Sequence, residues 1–231
     1  MPIGLITDIA AITLGGLTGG LLGRHLKDKF KQEMNSMVSI MAMGIALYMI
    51  PKMEIMGAVM LSVVGCYCLG SAMDIDGHVN RTILKLTGKV FRGNQSFDVS
   101  TLSVLIVLMG FGGGGIMGSM TESMTGDSSL LMGRAVCDFI SSLMFGTTLG
   151  PVAALAGGTS LISLSFFYLS ARLLLPYMSN VVYANFIATG GMLTLIGSLR
   201  MFGLSKAKPM NAVLSVIFII PVTILWQKFI P

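Results

Sequence analysis

Residues 129–149 read SLLMGRAVCDFISSLMFGTTL, and only Arg134 and Asp138 in that run carry charge. About 20 residues at about 1.5 Å rise each cross the ~30 Å hydrocarbon core of a bilayer as a single helix. Ahead of the run, Gly126-Asp127-Ser128-Ser129 supplies helix N-cap chemistry; behind it, Gly150-Pro151 ends the helix. Arg134 and Asp138 stand four residues apart and so share one helix face. Asp138 falls about ten residues into the crossing, where a charge must be paired or hydrated. The stretch therefore reads as a membrane-spanning helix that carries ionisable groups to mid-membrane.

The rest of the chain agrees with that reading. Of 231 residues, 54% are hydrophobic and only 11% charged, and the mean hydropathy is +0.84. Soluble domains carry about 25% charged residues, so this composition excludes one, as it excludes a disordered chain, a collagen and a disulfide-stapled secreted domain. A transmembrane barrel would show weak alternating segments of about ten residues, whereas these runs are continuously apolar and rich in glycine. The fold class is an all-α integral membrane protein.

Apolar runs between polar punctuation place spans at 3–23, 36–50, 55–73, 100–120, 129–149, 152–174, 181–199 and 210–227, about eight in all. They form a single transmembrane domain over 1–231. The second run is short for a bilayer and is followed by Pro51, which suggests a tilted or partly re-entrant hairpin and leaves seven spans as the alternative. The first Lys or Arg is Arg24, after the first apolar run, so the N-terminus reads as a retained span rather than a signal peptide.

The formal net charge of +5 reflects topology, not an affinity for nucleic acid. Of 15 Lys and Arg, all but Lys52, Arg134, Arg172 and Lys228 fall on the side opposite the N-terminus. The positive-inside rule makes that side cytoplasmic and both termini extracytoplasmic. On it, Arg81, Lys85, Lys89 and Arg92 alternate with Val79, Ile83, Leu86 and Val90 at helical spacing, an amphipathic helix suited to the surface of the lipid bilayer. The sequence of spans one to three is echoed by spans six to eight, and Ala58-Val59-Met60-Leu61-Ser62-Val63 resembles Ala212-Val213-Leu214-Ser215-Val216. Because spans one and six are five apart, units 1–73 and 152–231 would insert in opposite orientation, joined by the spans of 100–149, as in the inverted repeats of many secondary transporters.

Several motifs bear on chemistry. Gly15, Gly16, Gly19, Gly20 and Gly23 form small-residue ridges for close helix packing. Asp8 on the same span is an intramembrane carboxylate, which faces a cavity or partner unless it reaches the outer interface. Gly112, Gly113 and Gly114 lie in a run of glycines that satisfies the dinucleotide fingerprint without its strand and helix, so a Rossmann reading fails. Four consecutive glycines either break the helix, freeing amides and carbonyls to bind an ion or carboxylate, or admit a closely packed neighbour. Ser141 and Ser142 continue the polar face of Arg134 and Asp138 inward, and the pair is either a solute or ion site or a structural ion pair. Asp74-Ile75-Asp76-Gly77 lacks the later acids of a calcium loop and is a span-ending turn. His25 and His78 stand at a boundary without partner ligands, Cys66 and Cys68 face different directions, and Met is spread through the spans as adaptable packing. No metal, cofactor or nucleophile–base constellation is expected, and with it no enzyme.

Taken together, Leu14-Gly15-Gly16-Leu17-Thr18-Gly19-Gly20-Leu21-Leu22-Gly23, Asp74-Ile75-Asp76-Gly77 with Asn80-Arg81, Thr125-Gly126-Asp127 through Asp138 to Ser141-Ser142 and Leu149-Gly150, and Ala188-Thr189-Gly190-Gly191 resemble the bacterial membrane proteins of the domain of unknown function 554 family, almost from end to end. The resemblance implies a multi-pass protein of the bacterial cytoplasmic membrane with a role in transport, and supplies no substrate.

The sequence thus leads us to expect a homo-oligomeric (dimeric) secondary transporter of a small polar or anionic solute, coupled to a proton or sodium ion. Asp138 would bind the coupling ion, Arg134 the solute anion, and Ser141, Ser142, Asp8, Gly112, Gly113 and Gly114 would line the site. The alternatives are a channel-like pore and a non-transporting membrane scaffold or partner-binding subunit.

Overall fold

Ten α-helices and short 3-10 turns make up the described residues, with no strand among them. The computed structural model describes residues 2–90, 99–174 and 178–229. The helices are α1 (Ile3–Leu22), α2 (Asp28–Met49), α3 (Met56–Ala72), α4 (Ile75–Val90), α5 (Val99–Phe111), α6 (Gly113–Thr125), α7 (Ser129–Leu149), α8 (Leu155–Leu174), α9 (Asn180–Met201) and α10 (Ser215–Phe229). Among the described residues six helical segments are long and apolar enough to cross a membrane, or seven if the bent pair Met56–Ala72 and Ile75–Thr82 counts as one. One of the six, Ser129–Ala171, holds 43 residues, about twice what one crossing needs. It reverses at the 3-10 turn Gly150–Ala154, as the neighbours of α1 reveal, and counting it as two crossings brings the number to eight.

Those neighbours follow from the glycine ridge. A Cβ at Gly4 would meet Leu131 at 2.9 Å and one at Gly23 would meet the backbone of Thr147, so α1 and α7 run parallel. A Cβ at Gly16 would lie 2.6 Å from the Ala154 amide nitrogen, and one at Gly157 would strike Thr13, so the chain turns back along α1 as α8. Between these two neighbours the ridge leaves no room for any side chain, because backbone meets backbone there. Without a hydrophobic drive between helices in lipid, close approach and dispersion supply the attraction.

The ends of the helices sort into two groups. At one end Glu122, buried near the close of α6, accepts hydrogen bonds from the Gly4 and Leu5 amides at 2.7 and 3.0 Å. It caps the first turn of α1, which has Pro2 rather than a polar residue at its N-cap. At the same end the Asn185 Oδ1 of α9 accepts from the Glu54 and Ile55 amides at 3.0 and 2.9 Å, ahead of α3. Asp127 accepts from the Ser129 amide at 2.9 Å, and that bond holds its carboxyl below the usual carboxylate range. At the opposite end Asp76, 1% exposed, pairs with the Lys208 ammonium at 3.1 Å. Asn211 Oδ1 accepts from the Asp76 amide at 3.0 Å, while Asn80 donates to Asp76 and accepts from Ser103. A hydrogen-bonded cluster thus ties α4, α5 and the connector before α10, whose Lys208 amide also donates to the Tyr67 hydroxyl of α3 at 3.4 Å.

One expectation needs correction. The second span is not short: α2 has 22 residues, because its first two turns, from Asp28 to Asn35, are built mostly from charged and polar residues that the apolar run omits. The turn at Asp74, with φ of 48°, ends α3, and the chain continues into α4 bent by 62°. The expected amphipathic helix corresponds to α4, although Arg92 lies outside the described residues. Cys66 is buried and Cys68 exposed, consistent with their facing different ways.

Candidate functional site

The glycine run interrupts the fourth span as one of its two sequence readings expected. Gly112 is extended, with φ −63° and ψ 129°, so that α5 ends at Phe111 and α6 begins at Gly113. A broken helix leaves the last carbonyls of its first half without intrahelical partners. One of them, Met109 O, accepts a hydrogen bond from Arg134 Nη2 at 2.9 Å. The arginine therefore places its positive charge at the negative end of the α5 half-helix, which that dipole favours.

Arg134 reaches this position from α7, and the glycines make it possible. A Cβ on Gly115 would coincide with Arg134 Nη1, and one on Gly112 would stand 3.8 Å from Nη2. The guanidinium thus lies against bare backbone. Its Nε donates to Asp138 Oδ2 at 2.8 Å, one turn further along α7, whereas Nη1 is buried with no hydrogen-bond partner among the described residues. The pair stands side by side as the four-residue spacing required.

A third ionisable group joins them from α1. Asp8 is 0% exposed and lies beside Asp138, because Ile12, one turn after Asp8, accepts a hydrogen bond from Ser142, one turn after Asp138, at 2.6 Å. Parallel packing of α1 and α7 brings it there. Both of its oxygens are buried without a donor among the described residues. Buried carboxylates are ordinarily hydrogen-bonded, so this one stands out.

A cavity of about 660 Å³ opens beside the cluster, between α2, the α5–α6 break, α7 and α9. Arg134, Asp138 and Ser141 line it together with Gly112 and Gly114, and Lys52 and Tyr48 stand at its flank with the ammonium 4.6 Å from the ring centre. Most of its wall is apolar, as in ordinary small-molecule sites, with Met41, Ile45, Leu108, Phe145 and Ile187 among the lining residues. Ser142 is placed differently from Ser141: it is fully buried and donates to the Ile12 carbonyl of α1 at 2.6 Å, fastening the helix pair rather than lining the cavity. Gly113 opens α6. Lys52, Met109 and Thr194 were not singled out by sequence, and only Lys52, as a charge next to an apolar run, carried a signal that could have found it.

Fold and cluster together define a polytopic helical membrane protein with a charged site at the break of a discontinuous helix. The chain belongs to the family described as protein of unknown function (DUF554), which matches residues 3–224. It is 28% identical to the uncharacterized protein YqgA of Escherichia coli (strain K12), over 99% of each chain. It is 24% identical to the uncharacterized membrane protein YdfK of Bacillus subtilis (strain 168), over 90% of each. No solved structure matches the chain.

Proposed function

We propose that the protein is a secondary transporter of a small anionic or polar solute across the bacterial cytoplasmic membrane, coupled to a proton or sodium ion. The observation that carries this reading is the buried Arg134–Asp138 pair, set at the α5–α6 break and lining a cavity of about 660 Å³. Arg134 supplies charge-assisted donors for an anion, the N-terminus of α6 adds a positive dipole end, and Asp138 offers a carboxylate to the coupling ion. Discontinuous helices around a midplane site are how many transporters bind solute and ion. A thermal-shift screen of small metabolites on purified protein tests the reading, because a ligand of the folded state raises apparent stability by mass action. Solutes that stabilise wild type but not Asp138→Asn support it; no stabilising solute, with conductance through reconstituted protein, would favour a pore instead.

An inverted repeat of units 1–73 and 152–231 fits this function. In support, α1 runs antiparallel to α8 and α3 to α10, where Gly57 meets Trp226 and Gly70 meets Asn211. In an experimental structure, spans one to three should superpose on six to eight about an axis in the membrane plane; equal orientation of the two units would end the idea. Orientation in the membrane is tested separately. A reporter active only outside the cytoplasm, fused to the C-terminus, is expected to be active, and a cytoplasmic signal would overturn both the eight-span and the outward-termini arrangement.

A further inference from the structure

The three ionisable groups do not balance. Arg134 contributes one positive charge and Asp8 and Asp138 two negative charges, in a site where Asp8 is 0% exposed and Asp138 8%. Arg134 spends its Nε on Asp138 and its Nη2 on Met109 O, and its Nη1 is without a partner among the described residues, so none of these donors is bonded to Asp8. Both Asp8 oxygens lack a donor among the described residues, yet parallel packing sets the group beside Asp138, because Ser142, one turn after Asp138, donates to the carbonyl of Ile12, one turn after Asp8. Two ionised carboxylates are acceptors only, and a contact between them closes as a hydrogen bond only when one carries a proton. Like charges sharing a dry site also repel strongly.

We infer that Asp8 and Asp138 hold one proton between them and form the proton-binding element of the site. The inference deepens the transport reading and rests on it for its role in coupling, although the proton itself does not depend on transport. With one shared proton the cluster is neutral. A monovalent anion bound at Arg134 restores an excess negative charge, and in a low-dielectric site a second proton on the carboxyl pair removes it. The chemistry is then uptake of one proton with each monovalent anion, the proton passing to a carboxylate oxygen and no covalent bond to the solute forming.

The groups around Asp8 leave few other proton carriers. From α7 it meets Arg134 and Asp138, and from α5 the Met109 carbonyl is engaged by Arg134. On α6, Glu122 is engaged by the Gly4 and Leu5 amides. Among the described side chains of α8 the one titratable group is Tyr168, the turn before α8 has none, and His25 lies beyond the other end of α1.

Infrared spectroscopy of the full chain in liposomes at neutral pH, without solute, reads the shared proton directly. Wild type is expected to show a carbonyl band of a buried protonated carboxyl that shifts in D2O and is lost in Asp8→Asn. The side-chain amide introduced by that substitution can donate to Asp138 in the proton's place, so the variant should fold; should it not, Asp8→Glu is to keep the band at an altered frequency and Asp138→Asn to remove or displace it. Absence of the band in wild type would overturn the proposal. So would its survival in folded Asp8→Asn, or its loss in Glu122→Gln alone. A solute screen that finds no ligand would end the transport reading and leave the band in place, so the two failures are separable.

Discussion

Replacing Gly19 by valine is expected to prevent folding. A Cβ at this position would sit on the Leu143 carbonyl oxygen, and the same addition at Gly20 would sit on Pro151 backbone. Backbone on both sides cannot swing away as a side chain could, so α1 would have to separate from α7. Overpacking in a tight core costs about 1–3 kcal/mol and occasionally more, and loss of the whole contact puts this case at the upper end. Parallel docking of α1 also carries Asp8 to Asp138, so the change removes the site together with the fold. Gly44→Ala and Gly65→Ala are the controls, because a Cβ at either meets nothing within 4 Å. Thermal melting of the purified variants should show these two close to wild type, within about 0.5 kcal/mol as for neutral surface changes, and Gly19→Val without a cooperative transition. A wild-type melt for Gly19→Val would mean that the ridge is not a packing surface.

The second large effect is that of Arg134. Removing one partner of a buried ion pair costs about 3–5 kcal/mol, because a charge is left uncompensated; Arg134→Met leaves the Asp8–Asp138 pair, with its one shared proton, carrying a negative charge that nothing offsets. Accumulation of folded protein should fall sharply. The double change Arg134→Met with Asp138→Leu should recover folded protein, since a lone Asp8 can take up a proton. Recovery of the fold is not expected to bring recovery of solute-dependent stabilisation. Both returning together would make the pair helix glue, which is the scaffold alternative.

Local features were legible in the sequence and convergences were not. The helix at 129–149 and its caps follow from composition and turn residues, and one reading of the run around Gly112 is a break because four glycines give a helix little reason to continue. The start of α2 was missed since a helix can run several turns beyond the membrane through Lys29, Lys31 and Glu33, and apolar content sees only the embedded part. The face shared by Arg134 and Asp138 is a matter of spacing. That Asp8 belongs with them depends on α1 lying parallel to α7, a pairing across more than a hundred residues that no periodicity encodes. Glu122 lies just beyond the apolar run at 100–120 and was not singled out; the signal that could have found it is the absence of a capping side chain before α1, whose buried amides then required an acceptor from elsewhere. Ser141 and Ser142 looked alike by position, yet the step of about 100° between helical neighbours sends one to the cavity and the other to the Ile12 carbonyl.

Transport through the Arg134–Asp138 site is tested most directly by uptake into proteoliposomes. Wild type and folded Asp138→Asn would be compared for saturable accumulation of the solutes that stabilise the wild-type protein. Saturable uptake by wild type, lost in Asp138→Asn although that protein melts cooperatively, is the expected result. Undiminished uptake by folded Asp138→Asn would contradict an essential ionised role for this carboxylate, and with it the site.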